Sequence, residues 1–236
     1  MFSLYHMLFQ IAIEKEKILN FALMGYSAGG HLALLYAYKA AKCASCPYND
    51  NCGYGDQANE NCPYDKHKVS PAIPIELVIS EAGPTNFVQW DEEEQLILPD
   101  NNTCAMAGVM NDDTANVKEG KLEAASPINY IDANAPYTIL AYGNGVGPFQ
   151  GITTYTGTAG DGIIPYAHAT AVYTELGSGK CSFFELNGIN HNQFGEGSGK
   201  VVYPNTDVND EELNQIIDDY YEKISSKLQE LAQQED

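Results

Sequence analysis

The sequence predicts an α/β protein built on a parallel sheet with flanking helices. Three observations lead there: short apolar runs recur between Gly, Asn and polar residues, stretches with helical spacing lie between those runs, and the chain closes on a long amphipathic stripe. Strands of a parallel sheet are buried on both faces, so they read as near-continuous apolar runs rather than as alternating ones. Four runs fit, at 21–24, 76–80, 137–142 and 182–186. Leu32, Leu34, Leu35 and Ala37, with alanine filling the gaps, make 28–42 a helix. A second helix-capable stretch covers 165–176, and 87–129 reads as mixed helix and loop. Leu4, Leu8, Ile11 and Ile13 give residues 3–18 a looser helical rhythm. At the other end Asn209 and Glu212 form a capping box, and Leu213, Ile216, Ile217, Tyr220, Ile224, Leu228 and Leu231 share one face, so 208–233 is an amphipathic helix.

A chain of 236 residues with 44 % apolar content suits one domain over 1–236, large enough to bury a core without cross-links. No apolar stretch is long enough to span a membrane. The net charge is −20 and there is no arginine, which leaves almost nothing to grip a phosphate backbone, so nucleic acid is excluded as a partner. The acidity is diffuse apart from 91–94 and the last helix, and reads as a solvated, self-repelling surface. Met1 to Gln10 lack a basic leader and a small-residue cleavage site and do not look like a signal peptide; the compartment stays open. Residues 43–70 change character, being rich in Cys, Asn, Asp, Gly and Pro without an apolar period, and read as an insertion that could form a lid beside the preceding helix. Its Cys43, Cys46, Cys52 and Cys62, with His67 nearby, suit disulfides or reduced thiols at least as well as zinc, because the spacing is irregular; no metal is assigned. Cys181, at a strand edge, reads as a small buried hydrophobe.

The chemistry centres on Gly25-Tyr26-Ser27-Ala28-Gly29, a G-x-S-x-G pattern lying between the 21–24 strand and the 28–42 helix. A strand-to-helix turn this tight leaves little room beside the backbone, which predicts crowding at both flanking glycines and lifts the serine clear of the sheet. Serine at its free pKa is a poor nucleophile; an imidazole must take its proton and a carboxylate must orient the imidazole. In such a turn-based site the chain order is Ser, acid, His, and of five histidines only His168 and His191 come late enough. His191, just past the 182–186 strand in Asn187-Gly188-Ile189-Asn190-His191, sits where a base can swing into place. His168 falls inside a helix and reads as structural, as does His31, which follows the glycines and packs or orients the turn. For the acid, Asp161 in Gly160-Asp161-Gly162 follows the 137–142 strand and precedes His191 by thirty residues; Asp132, before that strand, is the weaker rival.

Gly25-Tyr26-Ser27-Ala28-Gly29-Gly30-His31-Leu32-Ala33 resembles the corresponding segment of α/β-hydrolase esterases, especially acetyl- and feruloyl-esterase-like and hormone-sensitive-lipase-like members. The stretches from Ser80 to Phe87, Ser126 to Tyr130 and Asp161 to Tyr166 are similar to further parts of that family. The resemblance implies acyl transfer without a cofactor on a small-molecule or carbohydrate-linked ester, with Ser27 as nucleophile, His191 as base, Asp161 as orienting acid and the Ala28 N–H as one oxyanion donor. The family's second oxyanion donor lies on a His-Gly-Gly type loop after an early strand. Only twenty-six residues precede Ser27, so the expectation is an N-terminally truncated sheet, with those parts supplied by a longer polypeptide or another segment. Two further readings remain: a peptidase of the same fold, since a triad does not disclose the leaving group, and a catalytically silent binding protein lacking the oxyanion loop.

Overall fold

The computed structural model describes residues 21–44, 75–88, 107, 108, 110, 113–143, 164, 166–186, 191 and 210–233. Among the described residues four strands, β1 (Phe21–Tyr26), β2 (Ile75–Glu81), β3 (Tyr137–Gly143) and β4 (Cys181–Leu186), form one sheet in the order β1-β2-β3-β4. Every pairing is parallel. Helix α1 (Ala28–Ala44) joins β1 to β2, α2 (Ala115–Ala125) with a 3-10 turn at Pro127–Tyr130 precedes β3, and α3 (Ala167–Leu176) precedes β4. Helix α4 (Asp210–Gln233) comes after β4.

This sequential strand order explains where the helices lie. Parallel strands need crossovers of one hand, so successive crossovers that step in one direction put their helices on the same face. Leu34, Ala37 and Tyr38 of α1, Leu122 of α2 and Ala169 and Val172 of α3 accordingly share one core with Val78, Leu140 and Tyr142. The alternate strand residues Leu77, Ile79, Ile139 and Ala141 face the other way and pack with Tyr220 and Ile224 of α4. Each Leu or Ile among them, once fully buried, contributes about 1.5–3 kcal/mol, which is why a helix with so polar an outer face stays docked. The phenol of Tyr38, which enters the first core, shares a 2.9 Å hydrogen bond with Thr138 Oγ1.

The four strand runs read from the sequence all appear, with β1 and β2 extended at their carboxyl ends to Tyr26 and Glu81. Helix α1 runs on through Cys43 to Ala44, past the predicted start of the insertion, because Ala40, Ala41 and Ala44 keep helix propensity high. The insertion beyond Ala44, with Cys46, Cys52, Cys62 and His67, lies outside the described residues, as do the predicted helix at 3–18, the acidic 91–94 and Asp161. Among the described residues no helix is long and apolar enough to cross a membrane.

Candidate active site

Residue Ser27 sits at the carboxyl end of β1, between the last strand residue and the first helix residue, with φ of 53°. A left-handed backbone at a residue with a side chain is uncommon and costs of order 1–3 kcal/mol, so it persists only where the surroundings hold it. Here the Ser27 N–H donates to the Glu81 carbonyl at 2.7 Å, and the Ser27 carbonyl accepts the His31 N–H at 3.0 Å as helix α1 begins. The backbone is clamped on both sides of the side chain.

The crowding predicted at both flanking glycines holds for only one of them. A Cβ at Gly25 would lie 2.2 Å from the Gly29 carbonyl oxygen, because the first turn of α1 folds back over the end of β1. At Gly29, among the described residues, a Cβ would meet nothing within 4 Å. The second tight position is Gly30, whose Cβ would stand 2.7 Å from Ser80 Oγ and 3.2 Å from the Cα of Gly83. The start of α1 is thus seated directly on the turn after β2.

The imidazole of His191 meets Ser27: Nε2 lies 2.8 Å from the serine Oγ. A neutral ring with its proton on Nδ1 accepts the hydroxyl proton in this geometry, which suits general-base work. His191 is buried, its ring packs against that of Tyr26 with centroids 5.1 Å apart, and its main-chain carbonyl accepts the Tyr26 hydroxyl. Ala28 is the first residue of α1, and the first N–H groups of a helix have no intrahelical acceptor, so its amide can serve an anion beside Ser27.

The other histidines do different work. His168 is buried on α3, and its Nδ1 accepts the Thr85 N–H at 3.0 Å and the Asn86 N–H at 3.1 Å, while the Thr85 hydroxyl donates to the His168 carbonyl at 2.8 Å. Two donors aimed at one ring nitrogen fix the neutral tautomer, and burial lowers its pKa to about 3. His31 is buried against Phe87, with ring centroids 4.6 Å apart, and its Nε2 bonds the Ala125 carbonyl at 2.7 Å, pinning α1 to the end of α2. Burial lowers its pKa as well. Asp132 lies at the amino end of β3, opposite the end that carries Ser27, and closes a local turn with the Asn134 N–H at 2.7 Å. Cys181 is a free, buried thiol pushed up to about 12 by burial, which leaves it inert. Among the described residues no three His, Cys, Asp or Glu side chains could together hold a metal ion.

One buried carboxyl group beside the site escaped the sequence reading. Glu81 ends β2 in register with Tyr26, in phase with the inward Leu77 and Ile79, so its carboxyl group is buried. Its i+2 spacing from those two residues is the signal that could have found it. Burial raises its pKa to about 7, opposed by the neighbouring phenols of Tyr220 and Tyr221, the latter donating to Oε1 at 3.4 Å. The folded state therefore holds a proton that the unfolded chain releases above 4.5, and stability is lost as the pH rises from 4.5 through about 7. Two and a half units correspond to on the order of 3 kcal/mol. Glu81→Gln, which mimics the protonated group, is expected to remove that loss. Urea unfolding of both proteins at pH 5 and pH 8 checks it, and parallel losses in the two would reject the assignment.

Sheet order, helix placement and the serine at the tip of a tight strand-to-helix turn define an α/β-hydrolase fold. Residues 10–145 match the BD-FAE family, and the chain belongs to it, a family of α/β-hydrolase esterases. No curated protein matches the chain. Similar solved structures include a truncated carbohydrate esterase from gut microbiota (17 % identity, 72 % of this chain, 52 % of that one, TM-score 0.38). An acetyl ester-xyloside bifunctional hydrolase from Caldicellulosiruptor lactoaceticus is similar at 14 % identity, over 86 % of this chain and 56 % of that one, with a TM-score of 0.42. A thermophilic esterase from Thermogutta terrifontis is similar at 16 % identity, over 86 % and 55 %, with a TM-score of 0.40. The chain spans about half the length of these three structures.

Proposed function

We propose that the chain carries the acyl-transfer centre of a serine carboxylic-ester hydrolase, acting on a small-molecule or carbohydrate-linked ester without a cofactor. The observation that carries this reading is the 2.8 Å contact between His191 Nε2 and Ser27 Oγ at the end of β1. Family membership supports ester chemistry. As Ser27 Oγ attacks the ester carbonyl, its proton passes to His191 Nε2, and the Ala28 N–H faces the oxygen on which negative charge develops. Collapse breaks the bond to the alcohol, which leaves with the proton from His191, and Ser27 keeps the acyl group. Water attacks next, again losing its proton to His191, and the acid departs as Ser27 recovers its hydrogen. Asp161 holds the Nδ1–H and stabilises the imidazolium that forms in each half.

A fluorophosphonate probe tests this directly. Labelling is expected at Ser27 alone, mapped by mass spectrometry, and is expected to vanish in Ser27→Ala and slow severely in His191→Ala. A folded protein that takes up no label would point instead to the silent binding reading.

A further inference from the structure

We infer that Tyr26 is a positioning residue that holds His191 over Ser27, gripping the histidine by its main chain and by the face of its ring. This rests on the reading of Ser27 and His191 as nucleophile and base. Residues 26 and 27 are neighbours in sequence, yet each takes hold of a different part of the same distant residue. The Tyr26 hydroxyl donates to the His191 carbonyl, the Tyr26 ring packs against the imidazole at 5.1 Å with a 41° tilt, and Ser27 Oγ meets Nε2 at 2.8 Å.

The strut is anchored at its base. Tyr26 is the last residue of β1, paired with Glu81 in the ladder, and strand alternation puts it in phase with Ala22 and Met24, which pack on the α4 side of the sheet. Only two side-chain torsions separate that backbone from the hydroxyl, so the contact with His191 sacrifices little conformational freedom. A grip on the carbonyl sets where the Cα of His191 stands, and a grip on the ring face sets the tilt of the imidazole. Together they fix the line along which Nε2 approaches Oγ, a line on which a misplacement of about 1 Å can cost a hundredfold in rate. An orienting carboxylate on Nδ1 controls rotation about the ring's own axis of approach; it leaves the position of the main chain to other contacts.

Two variants separate this role from simple packing. Tyr26→Phe keeps the ring and removes the donor; it is expected to lower kcat for a short-chain nitrophenyl ester about tenfold at unchanged KM, because the hydrogen bond that is lost is made to His191. Tyr26→Leu removes both grips and is expected to lower kcat about a hundredfold, again at unchanged KM. The imidazole C–H resonances of His191, assigned by their absence in His191→Asn, report ring-face contact independently of activity: they are expected to persist near their wild-type shifts in Tyr26→Phe and to move in Tyr26→Leu. Folding of each variant is followed by circular dichroism. A kcat within about twofold of wild type in both folded variants, or His191 resonances unmoved by Tyr26→Leu, would overturn the assignment. If the wild-type protein neither hydrolyses esters nor labels at Ser27, the catalytic reading falls by itself. The resonance shift then still decides whether Tyr26 holds the imidazole.

Discussion

Ser27→Ala and His191→Ala are each expected to lower kcat for a nitrophenyl ester about ten-thousandfold to a millionfold, and the double variant is expected to be little worse than either alone. On the proposed reading the two side chains, 2.8 Å apart, act as one proton-transfer unit, so removing either disables the unit and removing the second has nothing left to disable. Asp161→Asn is expected to cost about ten-thousandfold, since the amide NH2 can donate to Nδ1 and so favour the tautomer whose proton is on Nε2, which cannot accept the serine proton. Steady-state kinetics on the folded variants check all of this. Activity in Ser27→Ala within about tenfold of wild type would place the nucleophile elsewhere.

Acid is expected to weaken the fold through a different histidine. His168 is neutral in the folded protein, with its pKa lowered to about 3 by burial, whereas the unfolded chain takes up that proton near 6.5. Its contribution is therefore complete above 6.5 and is lost as the pH falls from 6.5 toward 3. Three and a half units correspond to on the order of 5 kcal/mol, a large share of the stability of an ordinary domain. Protonation would also replace an acceptor by a donor opposite the Thr85 and Asn86 N–H groups, taking the Thr85 N–H's acceptor away in the core. His168→Gln offers an amide oxygen to the same two donors without titrating. Urea unfolding between pH 7 and pH 4 should show a steep loss in the wild-type protein and a shallower one in the variant; equal slopes would reject the role. Glu81 acts with the opposite sign over an overlapping range, so the Glu81→Gln background gives the cleaner comparison.

The two late histidines show where sequence reasoning runs out. Chain order alone narrows the candidate base to His168 or His191, and the helical setting of His168 is a local fact that a pattern can carry, whereas the loop setting expected for His191 is not what the structure gives, since residue 191 is itself helical. What each ring touches is not local. His168 meets Thr85 and Asn86 more than eighty positions away, and His191 meets Ser27 across 164 positions, contacts that exist only once four strands are in register.

The strands, the helices between them and the serine-bearing turn were legible because each depends on neighbours in sequence: apolar runs of strand length, helical spacing, and a glycine where the first helical turn doubles back on Gly25. Tertiary structure alone decided that Gly30 rather than Gly29 is the second crowded position, that the Glu81 carboxyl is buried beneath α4, and that Tyr26 reaches His191. Local pattern depends on the backbone's own geometry, which a short stretch of chain already expresses. Burial and close approach depend on what a second, distant segment brings to the same place, and the turn at Ser27 is where β1, α1 and the end of β2 all arrive.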